Sequence, residues 1–268
     1  MKKQILNLKV AAVERLHERY VRLRLTQDEA LPPMMPGQFV EVRIDGGERP
    51  LLRRPISVNF VSSDGRELWL LVAVVGGGTR WLASLTEGDT VNVVGPLGHG
   101  FSMPGGSAAA GAPDGRGRVL LVGGGVGVAP LLYQGAALRA SGHEPVFLLG
   151  ARTAGDLLLT DEFRRYGEVC VTTEDGSAGE RGFVTQHSLL VGGGERFSLI
   201  QSCGPTPMMR AVARYAYSQG IDCEVSLENM MACGLGACLC CVEKTVDGNL
   251  CVCKDGPVFN VNRLLWQS

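Results

Sequence analysis

Six of the nine cysteines in this 268-residue chain fall between Cys233 and Cys253, in the run CGLGACLCCVEKTVDGNLCVC. Thiols at this density are a disulfide framework, a metal or redox site, or buried unligated groups, and each demands a different fold. Nine is an odd number, and the chain is long enough to bury a core without cross-links. The opening MKKQILNLKV is interrupted by Gln4, Asn7 and Lys9 where a signal peptide needs an apolar stretch. A disulfide framework is therefore not expected, and a metal or redox site in a soluble cytoplasmic protein is. Hydrophobic residues at 45% and charged residues at 20% exclude a disordered chain. The net charge of −1 provides no field for nucleic acid or an anionic membrane. No apolar run reaches the ~18 residues that span a bilayer.

The spacing Cys233-x4-Cys238-x2-Cys241 matches the opening of the plant-type ferredoxin pattern. Two irons bridged by sulfide need four thiolates converging from a short loop. Gly234, Gly236 and Ala237 are small enough to let backbone N–H groups reach the sulfurs and offset the desolvation of thiolates. The fourth ligand is Cys240, Cys251 or Cys253. Cys240 adjoins Cys241, and adjacent side chains rarely point at one site. Cys251 and Cys253 are two apart and share a face on a strand, so periodicity does not choose between them. Zinc is the alternative metal, but zinc sites favour paired short spacings that this run does not show.

Upstream, the hydrophobic pattern changes once. In YVRLRLT, Val21, Leu23 and Leu25 alternate with Arg22 and Arg24; in FVEVRI, Val40, Val42 and Ile44 alternate with Glu41 and Arg43. Period two means one buried and one wet face, as in antiparallel sheet. Apolar runs at 56–61, 68–75 and 91–94, with turns at 45–47, 63–65 and 88–89 between runs, complete the signature of a small barrel or sandwich. PGGSAAAGAPDGRG then reads as a linker or surface loop. Beyond it, the continuous apolar runs VLLVGGG, PVFLL, EVCVTT and FSLIQSC alternate with the helix-like 130–140 and PMMRAVARYAYSQG. Buried strands alternating with helices predict a parallel sheet covered by helices. The expected partition is 1–103, a linker at 104–118, 119–222, and 223–268, which holds the cysteines and a short hairpin.

VLLVGGGVGVAPLL places Gly123, Gly124, Gly125 and Gly127 between a buried strand and a helix, with Pro130 in the first helical turn. Such a loop lets backbone amides approach a diphosphate, or is only a tight turn. Cys203-Gly204-Pro205 follows another buried strand and precedes another helix, and two such loops at strand carboxyl ends face one nucleotide crevice. LLRRPISVNF sets Arg53 and Arg54 before an apolar strand, as diphosphate ligands or as solvated charge. Gly76-Gly77-Gly78-Thr79 is a phosphate cradle or a plain turn.

The order R-P-x-S, G-G-T, G-G-G-V-G-V-A-P-L and then the cysteine loop resembles the ferredoxin–NADP reductase superfamily. From about Val10 to Phe259 the chain is similar to the electron-transfer subunits of NAD-dependent (type B) dihydroorotate dehydrogenases, most specifically in MACGLGACLCCV and VCKDGPVF. The resemblance implies an FAD-binding antiparallel β-barrel, a parallel α/β nucleotide-binding domain and a small C-terminal 2Fe–2S domain. It selects Cys253, giving Cys233, Cys238, Cys241 and Cys253 as ligands, and assigns no role to Cys240 and Cys251. It assigns FAD to Arg54, Pro55, Ile56 and Ser57, to the backbone of Leu71, Val72 and Ala73, and to Gly78 and Thr79. NAD as substrate falls to Gly123, Gly124, Gly125, Gly127, Cys203, Gly204 and Pro205. The family often carries a charged residue where Gly77 stands and the superfamily often an aromatic where Ile56 stands.

The same resemblance implies an FMN-containing catalytic subunit as partner, two of each chain, that oxidises dihydroorotate for pyrimidine biosynthesis. Electrons then pass through the cluster and FAD to NAD+. The stretch 105–117 is longer than the family needs and is expected to be a mobile insertion. Arg152 favours NADP, whereas Asp156, Glu174 and Asp175 favour NAD. His17, His99, His143 and His187 belong to no motif and are read as surface or structural residues. The competing readings are an FAD/2Fe–2S subunit of another NAD(P)H–ferredoxin-type oxidoreductase or sulfhydrogenase, and a zinc-stapled nucleotide-sensing adaptor without redox activity.

Overall fold

The computed structural model describes residues 2–45, 51–104, 117–192 and 196–266. The expected turn at 45–47 and the linker or insertion at 104–118 lie largely outside these residues. Strands β1 (Gln4–His17), β2 (Tyr20–Thr26), β3 (Phe39–Val42), β4 (Arg54–Val61), β5 (Glu67–Ala73) and β6 (Thr90–Leu97) come first, with helix α1 (Gly77–Ala83) before β6. They close an antiparallel barrel in the order β1-β2-β5-β4-β3-β6. The alternation in the sequence is the cause. Val21, Leu23 and Leu25 of β2 fill the barrel interior with Val40, Val42, Leu68 and Leu70. On the outer face, Arg24 bonds both oxygens of Glu67 at 2.9 Å, Arg22 pairs with Glu14, and both guanidinium groups lie over the Trp69 ring.

The next strands are β7 (Arg118–Gly124), β8 (Glu144–Ala151), β9 (Glu168–Thr173), β10 (Glu180–Arg181), β11 (Leu199–Cys203) and β12 (Cys223–Ser226). Helices α2 (Ala129–Ala140), α3 (Thr160–Arg164), α4 (Ser188–Val191) and α5 (Thr206–Gln219) intervene. The cysteine segment follows, with the hairpin β13 (Val242–Thr245) and β14 (Gly248–Cys251) and the helical turn α6 (Val252–Asp255). Strand β15 (Val258–Asn260) then joins β12 antiparallel, giving a seven-stranded sheet in the order β10-β9-β8-β7-β11-β12-β15. Val119 to Val122 are fully buried on both faces of the sheet, as a continuous apolar run requires of a central parallel strand. At Gly135 of α2 an added Cβ would strike Phe147 of β8, so this glycine sets the closeness of helix and sheet.

The chain packs as two compact units, residues 1–100 with 228–257 and residues 101–227 with 258–268. This division differs from the partition expected from sequence. The cysteine segment clusters with the barrel residues, while Cys223–Ser226 is a sheet strand. Two readings of the alternation fail. Arg22 was expected on a wet face but is buried, paired with Glu14 and lying over Trp69. Glu41 was expected on a wet face, but all four residues of β3 are buried and Glu41 is 1% exposed. Gly234, almost two hundred residues later in sequence, lies over it in the same unit. Among the described residues, no helix is long and apolar enough to cross a membrane.

Candidate functional site

The cysteine loop bends through three left-handed residues, Gly234 (φ 64°), Gly236 (φ 83°) and Leu239 (φ 59°). These turns aim backbone donors at sulfur. Leu235 N donates to Cys233 Sγ at 3.3 Å, Gly236 N to Cys253 Sγ at 3.1 Å and Cys253 N to Cys241 Sγ at 3.4 Å. Burial opposes ionisation of Cys233, but the N–H groups of Leu235, Cys238 and Ala237 outweigh it and hold the thiol at about 6. Burial and the neighbouring Cys241 push Cys253 up to about 12. The loop therefore supplies N–H···S contacts of the kind that a thiolate-ligated, sulfide-bridged cluster uses.

Cys240, Cys251 and Cys253 have different surroundings. The strand that would give Cys251 and Cys253 one common face ends at Cys251, because Val252–Asp255 turns helical. Cys251 pairs with Val242 in the hairpin, and its N–H is held by Asp255 at 2.7 Å. Cys253 instead faces Gly236 and Cys241. Cys240 is exposed. The donor set fits an iron–sulfur group at Cys233, Cys238, Cys241 and Cys253. Gly256 and Pro257, of the K-D-G-P-V-F ending, rest against the 98–99 turn, where His99 N donates to Gly256 O at 2.6 Å.

In the barrel, β4 and β5 pair only from Val58–Leu70 onward. Upstream, Arg54 to Ser57 pair with β3 alone, and Leu71 to Ala73 pair with β2 alone. The two strands thus diverge, and their facing backbone edges carry no ladder bonds over these residues. Unpaired N–H and C=O groups along both edges fit the rim of a planar heterocycle. At Gly78 an added Cβ would lie 2.8 Å from Arg54 Nε, so R-P-x-S and G-G-T meet in space. The Thr79 hydroxyl closes its own turn, accepting from Val75 N and Gly76 N at 2.9 and 3.0 Å. Arg53 is not solvated surface charge: it bonds Glu41 O and Asn92 O at 3.2 Å and Asn92 Oδ1 at 2.6 Å.

In the sheet, β7 and β11 are neighbours, with Gly123 opposite Cys203. The chain runs outward from β7 through β8 and β9 on one side and returns through β11 and β12 on the other. The two glycine loops thus lie at the point where strand order reverses, the usual nucleotide position in open α/β sheets. They touch. A Cβ on Gly127 would sit 2.5 Å from Gly204 Cα and 2.6 Å from Cys203 O, and one on Gly124 would meet Met208 Sδ at 2.7 Å and Pro205 Cδ at 3.1 Å. Gly125 takes φ 56°. Hence glycine is required at 127 by loop-to-loop packing, besides any approach to phosphate, whereas at 124 the nearest neighbour is the flexible end of Met208.

Residues 228–265 match the family model described as the iron–sulfur cluster binding domain of dihydroorotate dehydrogenase B, and residues 121–214 match the oxidoreductase NAD-binding domain. The chain is 41% identical over 236 residues to the dihydroorotate dehydrogenase B (NAD(+)) electron transfer subunit of Lysinibacillus sphaericus, covering 86% of this chain and 87% of the relative. The same subunit of Fusobacterium nucleatum is 38% identical and is covered to 84%, as is this chain. The chain belongs to the family of dihydroorotate dehydrogenase B electron transfer subunits. A solved structure of NADH-dependent reduced ferredoxin-NADP oxidoreductase contains a chain 31% identical, with a TM-score of 0.85 over 98% of this chain and 91% of that one. The ferredoxin reductase of carbazole 1,9a-dioxygenase shares the fold alone, with a TM-score of 0.64 over 82% of this chain and 67% of that one at 19% identity.

Within this family frame, the sequence motifs mark three places that the structure assembles locally: the thiol loop, the strand split with Gly78, and the paired glycine loops. Missing from the sequence reading were Arg53, as an internal clamp, and Glu41. Both Glu41 carboxylate oxygens are buried without a hydrogen-bond partner. Burial raises this carboxyl to about 7 against the pull of Arg53, with Cys233 adding to the rise. A charged residue inside the otherwise apolar F-V-E-V stretch was its only signal. His187 is structural, accepting from Leu189 N at 3.0 Å to cap α4. Near the end of β8, Asp156 is buried and bonded by Thr153 Oγ1 at 3.2 Å, while Arg152, Glu174 and Asp175 are exposed.

Proposed function

We propose that this chain couples dihydroorotate oxidation, on a separate FMN-containing catalytic subunit, to the reduction of NAD+ in pyrimidine biosynthesis. It does so in the cytoplasm, in a complex with two copies of each chain. Cys233, Cys238, Cys241 and Cys253 would hold a 2Fe–2S cluster. Arg54, Pro55, Ile56, Ser57, Leu71, Val72, Ala73, Gly78 and Thr79 would hold FAD, and the loops at 123–127 and 203–205 would hold NAD. When bound, the cluster exchanges single electrons and FAD converts them to the hydride that nicotinamide carries.

The protein's own part is placement and electrostatics. Leu235, Ala237 and Cys238 N–H groups ready the Cys233 thiol for ionisation, and Gly236 orients Cys253. The open edges of β4 and β5 offer fixed donors and acceptors at no cost in rearrangement. Met230, Leu235 and Leu239 stand exposed beside the exposed Cys238, an apolar setting suited to a partner subunit. The observation that carries this reading is the wiring of backbone amides to three of the four thiols. The 31% identical chain supports a second reading, an NADH- and ferredoxin-linked oxidoreductase subunit.

Co-expression with a dihydroorotate-oxidising subunit separates the two readings. The complex should co-purify, contain acid-labile sulfide and reduce NAD+ with dihydroorotate. Cys238→Ser should abolish that coupled reaction while retaining flavin absorbance and its bleaching by NADH. Coupling by Cys238→Ser at the normal rate would take the cluster out of the path. Failure to bind such a partner, with ferredoxin reduction intact, would favour the second reading.

A further inference from the structure

We propose that Arg53 is a positioning residue for FAD binding, fixing the backbone carbonyls that hold the Arg54 guanidinium. The inference rests on the assignment of FAD to Arg54, Gly78 and Thr79. It begins from the entry of the chain into β4. Leu51 is 98% exposed and Leu52 41% exposed, so these two apolar side chains do little to hold the approach in place. A segment with few buried contacts needs another anchor if the residue after it is to keep one position.

The side chain of Arg53 is that anchor. Its Nη1 donates to Glu41 O of β3 and to Asn92 O of β6, each at 3.2 Å, and its Nη2 donates to Asn92 Oδ1 at 2.6 Å. Asn92 is buried, and its own Nδ2 donates to Asn7 Oδ1 of β1 at 2.7 Å. The planar fork thus ties the chain ahead of β4 to two strands of the closed barrel, and through Asn92 to a third. Hydrogen bonds from a charged donor are stronger than neutral ones, so this tie is a firm one.

Arg54 depends on the backbone that the fork fixes. Its Nη1 donates to Leu52 O at 2.7 Å and to Arg53 O at 3.3 Å. Its Nε lies beside α1, 2.8 Å from where a Cβ on Gly78 would fall. The two carbonyls that grip Arg54 therefore belong to the stretch that Arg53 anchors. A guanidinium recognises a diphosphate through donors in a fixed plane, and binding is strongest when that plane is set before the ligand arrives. Arg54 would meet FAD, and Arg53 decides where Arg54 stands.

The test is a double-mutant cycle on the dissociation constant of FAD. It uses full-length protein purified in its complex, stripped of flavin and titrated with FAD by fluorescence quenching. Arg53→Met removes the fork, and Arg54→Ala removes the ligand to the diphosphate. Arg53→Met should weaken FAD binding about tenfold, the size expected for one hydrogen bond to a charged group. In an Arg54→Ala background the same change should have little further effect, because Arg53 acts through Arg54. Arg53→Lys keeps the charge without the fork and should fall between Arg53→Met and wild type; it carries the test if Arg53→Met does not fold. Three results overturn the proposal: wild-type affinity in Arg53→Lys, equal weakening by Arg53→Met with and without Arg54, or unchanged affinity in Arg53→Met where Arg54→Ala binds weakly. Unchanged affinity in Arg54→Ala would instead refute the FAD assignment, and the proposal with it.

Discussion

Replacing Gly127 by alanine tests whether the two nucleotide-side loops depend on each other. The added methyl would sit 2.5 Å from Gly204 Cα, 2.6 Å from Cys203 O and 2.6 Å from Gly204 N. All three neighbours are backbone, so no flexible side chain can swing away. One loop must move by roughly an ångström to restore ordinary carbon–carbon contact near ~3.5 Å. Overpacking of this kind costs about 1–3 kcal/mol. At roughly 2–4 °C per kcal/mol for domains of 150–250 residues, the midpoint of thermal unfolding should fall by several degrees. Gly77→Ala is the control, because its added methyl would meet only the flexible end of Arg80 at 3.9 Å. It should stay within about 0.5 kcal/mol of wild type. The functional assay is bleaching of the bound flavin by NADH in stopped flow. Gly127→Ala should need far more NADH for the same rate, with visible absorbance of flavin and cluster unchanged. Wild-type stability and wild-type NADH dependence in Gly127→Ala would refute the claim that these loops form one packed unit.

Two further outcomes follow from the geometry. Cys253→Ser should lose acid-labile sulfide, whereas Cys251→Ser, whose N–H is bonded to Asp255 in the hairpin corner, should retain it; iron and sulfide analysis of the two purified variants decides between them. The Glu67 carboxyl lies below its ordinary value, first through its hydrogen bonds from Arg24, against burial and with help from Trp69. A depressed folded-state value means that its stabilisation is present at neutral pH and is lost as pH falls below the usual carboxylate range through the folded value. Urea unfolding of wild type and Glu67→Gln should therefore differ at pH 7 and converge in acid.

Local chemistry was readable where a residue's neighbours in sequence are also its neighbours in space. Val21, Leu23 and Leu25 declared a one-faced strand, 119–122 a two-faced one, and the glycines after each run a sharp turn. The x4–x2 spacing of Cys233, Cys238 and Cys241 expressed a loop too short to point elsewhere. Glu41 was misread because alternation predicts which way a side chain points, not what covers that side. Its cover comes from Gly234, and no periodicity links the two. Periodicity left Cys251 and Cys253 undivided for the same reason, since two residues apart means one face only while the strand continues, and here it turns helical after Cys251.

Short-range stereochemistry, acting through side-chain period, glycine and thiol spacing, was enough to specify a barrel, a parallel sheet and a cysteine loop. Three-dimensional packing alone settled the split between β4 and β5, the contact of Gly127 with Gly204, the turn that directs Cys253, and the burial of a carboxylate beneath Gly234. Each of these depends on distances between segments remote in the chain. Such distances are set by how whole elements pack, and no local pattern encodes them.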